Sequence, residues 1–354
     1  MIGVLEGTGI GPEVVSATLK VLRSLEHATK LDFELREGGL IGEAAITTCG
    51  QWLPEATAEF CADVFGCGGA ILSGPGGGRY VYDLRRRFDL FCKFIPVRPA
   101  PELARAGRIA PQFLIGVDML IVRDNSGGVY QGQWRERNTG RDRVAEHSFG
   151  YSEAEVLRLV EVAARAAASR KGRLHIIVKE GGLPTITALW RDVGEATARR
   201  QGVDVMFMNV DLAAYELIQN PTGFDVIAAP NLFGDILADV TGVLVSSRGV
   251  TYSGNFDAQG HGVYQTNHGC AHDLAGTDTA NPAGQILSLA MLLRESFGLA
   301  DAASLIEHSL AETWRAGWRT ADVSEAGCRI VGTEAMAEKV AEQVVRSAEI
   351  AQSA

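Results

Sequence analysis

Short apolar runs punctuated by glycine-rich turns recur along the chain, and most are followed by a stretch with helical spacing. Residues 2–6 form one such run. Gly7-Thr-Gly-Ile-Gly then turns into a helix with Pro12 in its first turn, where the missing N–H costs little, and with Val14, Val15, Ala17, Leu19 and Leu22 in helical order. Further strands are predicted near 32–36 and at 69–73, 117–122, 174–178, 203–208 and 224–229. Helices are predicted near 54–62, 152–169, 186–201, 302–316 and 334–348, with a long apolar helix ending near Leu293 and a fraying tail over 351–354. The helix after the Gly74–Gly78 run is expected to turn Leu84, Phe88 and Phe91 inward and Arg85, Arg86 and Arg87 to solvent, and Ser152-Glu-Ala-Glu155 reads as a capping box. Gln131–His147 is polar and reads as an arm. Strand–helix alternation predicts parallel α/β layers, whose ligands sit beyond the C-terminal strand ends.

The stretch Asn231–Asp239 organises the rest. It follows the apolar run 224–229 through Pro230 and opens a helix on which Asp235 and Asp239 stand one turn apart, on one face. Such a pair is either a solvated helix face or half of a site for a hard divalent cation, which takes oxygen ligands. The apolar neighbours Leu232, Phe233, Ile236 and Leu237 favour the second. Lys179 and Asp211 also follow predicted strands, as they would if they shared that site.

Composition narrows the class. The chain has 354 residues, long enough for two domains, and a net charge of −10 supplies no basic excess for nucleic acid or an anionic membrane. Six scattered cysteines without a Cys-x-x-Cys pair indicate neither a zinc ribbon nor a disulfide scaffold. No basic leader and no span-length apolar stretch is present, so a cytoplasmic location is expected. The first glycine turn is spaced Gly-x-Gly-x-Gly, without an acid at a strand end about 20 residues on, so a standard Rossmann fingerprint is not indicated.

Several separated stretches together resemble the β-decarboxylating dehydrogenases of isocitrate, isopropylmalate, homoisocitrate and tartrate or malate. They are Gly7–Val14, Leu84-Arg85, Ile121-Val-Arg123 with Gly127–Tyr130, Lys179, Val210-Asp211, Asn231–Asp239, His268–Gly276 with Ala280-Asn-Pro282, Arg319–Asp322 and Gly332-Thr-Glu334, in the family's order over nearly the whole chain. The resemblance implies an α/β fold of two domains with a central mixed sheet flanked by helices. Residues 1–92 and 247–354 would make the large domain and 93–246 the small one, with the arm near 131–147 and the active cleft between the domains. It implies NAD- and metal-dependent oxidative decarboxylation of a (2R)-2-hydroxy acid bearing a 3-carboxylate. Mg²⁺ or Mn²⁺ would be held by Asp211, Asp235 and Asp239, Lys179 would be the general base and Tyr130 the enol acid, and Arg85 and Arg123 would grip carboxylates. The cofactor would lie against His268, Gly269, Ala271 and Asp273, with Asn281 at the adenine, and Asp273 favours NAD over NADP. A homodimer is implied, with Lys179 and Asp211 coming from the partner.

Departures bear on the substrate. Ile95 stands where the family has a second carboxylate-binding arginine, for which Arg98 or Lys93 could substitute; Gly181 and His272 replace a usual Asn and Pro. Arg79, Tyr80 and Tyr82 make the substituent pocket basic and aromatic, which points to a polar or anionic group, even a phosphonate, rather than isopropyl. Two other readings stand beside this one: a non-catalytic regulatory subunit, and tartrate- or malate-type oxidation without decarboxylation.

Overall fold

Two units divide the chain in the structure, a computed structural model that describes residues 1–353 and their side chains through residue 350. One comprises Met1–Leu90, Arg98–Ile115 and the chain from Gly242 onward; the other comprises Phe91–Val97 and Gly116–Thr241. The first opens with β1 (Ile2–Leu5), α1 (Gly11–Thr29), β2 (Leu35–Glu37), α2 (Gly42–Cys49), α3 (Glu55–Gly66), β3 (Ala70–Ser73) and α4 (Tyr80–Arg87). The second holds β4 (Cys92–Val97), β5 (Met119–Asp124), β6 (Gln133–Asn138), β7 (Arg143–Ser148), α5 (Glu153–Ala168), β8 (Arg173–Val178), α6 (Pro184–Gln201), β9 (Asp204–Asn209), α7 (Val210–Gln219), β10 (Val226–Ala229) and α8 (Asn231–Gly242). The chain then returns to the first unit with β11 (Tyr252–Phe256), β12 (Gly262–Thr266), α9 (Ala283–Glu295), α10 (Ala300–Arg315), β13 (Trp318–Arg319), β14 (Arg329–Ile330) and α11 (Thr333–Ser353).

In the first unit the strands run in the order β2-β1-β3-β12-β11, parallel except for the β11–β12 hairpin. β1 and β3 are buried along their full length, as continuous apolar runs require when both faces of a strand are covered. Leu5, Val64, Phe65, Ile71, Tyr80 and Leu84 form one core cluster there. α1 lies along α11, and Lys20 bonds Glu334 and Glu338 across that seam. In the second unit the order is β4-β5-β10-β8-β9, with β4 alone antiparallel. α5 begins with the expected capping box: Ser152 Oγ accepts from the Glu155 amide, and Glu155 accepts from the Ser152 amide at 2.7 Å. The polar arm is the hairpin β6–β7, and every residue of β6 is exposed.

The structure changes several expectations. Residues 98–115 belong with the first unit, because Ser246 donates to the Leu103 carbonyl at 2.9 Å and Arg319 to the Glu102 carbonyl at 2.7 Å. α4 stops at Arg87, where Asp89 takes a positive φ of 44°, so Phe91 leaves the helix and instead packs under Arg158, 4.5 Å from its ring centre. The last helix continues through Ser353 instead of fraying at 351, and Ala354 lies outside the described residues. α2, β4, α7 and the β11–β12 hairpin were not predicted.

His175 on β8 is 2% exposed against Phe224, and burial, helped by Arg173 and opposed by Asp225, lowers its pKa to about 4. The folded chain therefore keeps the ring neutral where the unfolded chain protonates it, so this contribution is present above about 6.5 and is lost as pH falls towards about 4. We expect His175→Leu to flatten the acid-side fall in melting temperature over that window; an unchanged slope would contradict it.

Candidate active site

β5 and β10 are neighbours, and both deliver their C-terminal ends to the start of α8. Asn231, the first residue of α8, is fully buried and joins three segments. Its amide donates to Tyr151 Oη at 3.0 Å, its side-chain amide donates to the Gly127 carbonyl at 2.8 Å, and its Oδ1 accepts from Arg123 Nη2 at 3.0 Å. One turn later Asp235 Oδ1 takes the other arm of the Arg123 guanidinium, while Asp235 Oδ2 accepts from Tyr130 Oη at 2.9 Å. Arg123 lies 5.7 Å from the centre of the Tyr130 ring. Gly234 leaves room for this arginine, since a Cβ there would come 2.7 Å from Arg123 Cγ. Arg123 is 2% exposed, and its Nε is a buried donor without an acceptor. Asp239 follows one turn on, exposed.

A second cluster stands on the same unit. Lys179 follows β8, and its amine pairs at 2.9 Å with Asp211, which lies in the first turn of α7. The lysine holds the Asp211 carboxyl below its ordinary range. Lys179 also borders an apolar cavity of about 240 Å³ lined by Val129, Phe149, Tyr151, Trp190 and Phe233. Among the described residues no three acidic, histidine or cysteine side chains gather closely enough to hold a metal ion. One chain thus brings Arg123, Tyr130 and Asp235 together, and Lys179 with Asp211, without joining Asp211 to Asp235 and Asp239. β9, which leads into α7, is separated from β10 by β8.

In the first unit Arg85 is buried, with Nε donating to Asn255 Oδ1 at 3.3 Å, whereas Arg86 and Arg87 are exposed. The triple-arginine run is therefore a solvated face at only two of its three positions. Arg79 leans over Tyr82, 5.3 Å from the ring centre, with Asp83 3.9 Å away. Tyr80 is not part of a substituent pocket: it is 1% exposed in the core, with its hydroxyl 3.0 Å from Ser73 Oγ. Arg98 lies past the C-terminal end of β4, exposed, in the first unit, where its charge acts on Glu295 of α9.

The two glycine loops buttress each other and the loop after β12. Thr8 N donates to the Pro75 carbonyl at 2.7 Å and Ile10 N to the Cys270 carbonyl at 2.9 Å. Gly9 takes a φ of 62° with the Cys270 carbonyl where a Cβ would project, so only glycine fits. His268 Nδ1 sits 2.9 Å from the Gly269 carbonyl, Ala271 takes a φ of 42°, and Asp273 is exposed. Next to Ala271, His272 reaches Glu43 of α2 at 2.8 Å. Asn281 is buried; it donates to Asp322 at 3.1 Å and accepts from the Ala283 amide at 3.0 Å. The sequence reading assigned no role to Asp322 or Tyr151. Asp322 stood in a quoted motif, but Tyr151 had no local signal because its partner Asn231 is distant in sequence.

Strand-end carboxylates, a buried arginine and a tyrosine hydroxyl on an α/β scaffold define an enzyme class that handles acid substrates. Residues 1–340 match the family described as isocitrate/isopropylmalate dehydrogenase. The chain is 39% identical to the 3-isopropylmalate dehydrogenase of Nitrosomonas europaea, covering 96% of this chain and 98% of that protein. It is 38% identical to that of Hahella chejuensis, covering 96% and 97%. Its structure resembles that of the isocitrate dehydrogenase from Methylococcus capsulatus, with a TM-score of 0.86 at 27% identity over 97% of this chain and 99% of that one. The chain belongs to the isocitrate/isopropylmalate dehydrogenase family, the decarboxylating dehydrogenases of 2-hydroxy acids. The family typically uses a nicotinamide cofactor and a divalent metal, and its members are dimers. No helix among the described residues is long and apolar enough to cross a membrane.

Gly128, with a φ of 72°, abuts the Tyr151 hydroxyl that receives the Asn231 amide. Gly128→Ala should displace Tyr151 and lower stability by about 1–3 kcal/mol, read by thermal melting; an unchanged melting temperature would show the turn is not constrained.

Proposed function

We propose that the chain catalyses NAD-dependent, divalent-metal-dependent oxidative decarboxylation of a (2R)-2-hydroxy acid carrying a 3-carboxylate and a polar or anionic C3 substituent. The observation that carries this reading is the Arg123–Asp235–Tyr130 cluster, which puts a proton-bearing phenol on the carboxylate that anchors a buried arginine. Asp235 and Asp239 offer hard oxygen donors one turn apart. Asp211 of a second copy would complete the set, since one chain does not gather three such side chains among the described residues. A divalent ion held by these carboxylates would supply Lewis-acid polarisation of the substrate's hydroxyl and ketone oxygens.

Each side chain then has a task. Arg123 and Arg85 orient carboxylates, Lys179 takes the hydroxyl proton, and Tyr130 Oη delivers a proton to the enol carbon. The exposed apolar side chains Leu212 and Tyr215 on α7 and Ile236 on α8 fit burial in a homodimer, with the β6–β7 arm adding to it. Exposed Asp273 suits the ribose hydroxyls of NAD and disfavours a 2′-phosphate. Intact Tyr130, Lys179, Asp211, Asp235 and Asp239 favour catalysis over a regulatory role. Isopropylmalate itself is the rival substrate, on the strength of the names of the relatives, and Arg79 beside Tyr82 is the feature that argues against it.

NADH formation with Mn²⁺ or Mg²⁺ across malate, tartrate, isocitrate, homoisocitrate, isopropylmalate and phosphonate-bearing analogues tests the reading. Turnover of a polar- or anionic-substituted acid is expected, with Lys179→Ala and Tyr130→Phe each lowering kcat by about 10²-fold or more while preserving the fold. Preference for isopropylmalate would overturn the substituent assignment, and turnover unaffected by Lys179→Ala would overturn the base. Arg79→Leu should raise KM for the preferred acid sharply; an unchanged KM would remove Arg79 from the pocket.

A further inference from the structure

The loop after β12, which carries Asp273, is fastened at several points within the first unit. The Ile10 amide donates to the Cys270 carbonyl at 2.9 Å, and Cys270 Sγ lies 3.2 Å from Thr8 Oγ. Thr8 Oγ itself donates to the Gly76 carbonyl, so the thiol is the donor of that pair. Glu13 at the start of α1 accepts from the Gly276 amide. Between these points His272 Nε2 stands 2.8 Å from Glu43 Oε2, in the first turn of α2. Gly77 lets Glu43 come so close. It takes a φ of 70°, and a Cβ there would stand 2.8 Å from Glu43 Oε1 and 3.1 Å from Cys270 Sγ. The Glu43 amide also donates to the Gly76 carbonyl at 3.0 Å. The glycine run after β3 is therefore a joint at which α2 and the loop after β12 meet.

We infer that Glu43 is a positioning residue: through the His272 imidazole it holds the loop that carries Asp273 in the place where the cofactor meets it. The inference rests on the function proposed above. Two features of the loop fit a nicotinamide dinucleotide: the Asp273 carboxylate is exposed, and a Cβ on Gly269 would meet open space, so a ligand can approach the backbone. Among the contacts that fasten the loop, the His272–Glu43 bond is the one that changes near neutral pH, where an imidazole gains and loses its proton. The other titratable groups about it are Cys270, whose thiol burial pushes up, Asp273 and His268 of the same loop, and Glu13 of α1. A charged ring bonds a carboxylate more strongly than a neutral one, so the loop is held more firmly at low pH and released as pH rises. Both side chains are about half-exposed, which keeps the effect to a few-fold one.

NAD binding measured by calorimetry, without substrate or turnover, tests this at about pH 6 and pH 8. Kd should rise about two- to fivefold more over that range in the parent than in Glu43→Gln or His272→Gln, and the double variant should behave as either single one. Equal pH dependence in the parent and both variants overturns the inference, as does a double variant in which the two losses add. Hydrogen exchange of residues 268–276 in the cofactor-free protein is a second measurement that needs no ligand. Glu43→Gln should speed exchange of these amides at low pH while β1 and β3 stay protected. Unchanged exchange overturns the hold on the loop. Faster exchange in a chain that binds no NAD supports the hold and counts against the proposed cofactor instead.

Discussion

A buried guanidinium has to be paired, because removing its water costs several kcal/mol that only well-placed acceptors return. Arg123 meets that requirement through α8 alone: Asn231 accepts one arm and Asp235 the other. The two acceptors are four residues apart, so the pairing works only if α8 begins at Asn231 and keeps helical geometry through Asp235. Asn231 also donates to the Gly127 carbonyl and, through its backbone, to Tyr151. The loop that carries Tyr130 is therefore fixed to the same helix turn that fixes the arginine. Removing Asp235 would leave the buried cation short of an acceptor and break the hydrogen bond that the Tyr130 phenol makes to that carboxylate, so stability and chemistry are coupled at this point.

The Lys179–Asp211 pair obeys different physics. Its side chains are 40% and 68% exposed, and ion pairs in such surroundings add little to stability because water and salt screen them. Stability gives no reason to hold a lysine and an aspartate together on the surface at two strand ends. An assembly does, if a second copy presents its own Asp235 and Asp239 to this pair. α7 carries Asp211 at its start and exposes Leu212 and Tyr215 beside it, so the apolar surface that would close a dimer and the carboxylate that would complete a metal site lie on one helix.

The parts of the fold that could be read in advance are those whose burial is uniform. β1, β3 and β10 are short runs buried along their full length, β8 is apolar apart from Arg173 and His175, and α5 carries clear periodicity with a capping box. β4 was hidden because its buried face alternates Lys93, Ile95 and Val97 and its other face carries Pro96, a pattern that mixes charge and a strand breaker. The β11–β12 hairpin was hidden by Gly254, Gly260 and Gly262, although the Asp257 side chain closes its turn by accepting from the Gln259 and His261 amides. α7 was hidden because two of its apolar residues face outward, blurring the inward set. The site residues came from resemblance rather than periodicity, and it was burial that the sequence misjudged among them: Arg85 reads as one of three solvated arginines and is internal, and Tyr80 reads as a pocket residue and is core.

The side chains of β4 that stand beside Arg123 differ in charge. Ile95 and Lys93 are two residues apart on one strand face, and Lys93 stands directly opposite Arg123 whereas Ile95 is its diagonal neighbour, about 2–3 Å further off. Identity of 38–39% spread over nearly the full chain mostly measures the shared frame, which many acids can use. Discrimination between one C3 substituent and another depends on a few side chains and on how they turn a bound acid towards the reacting groups.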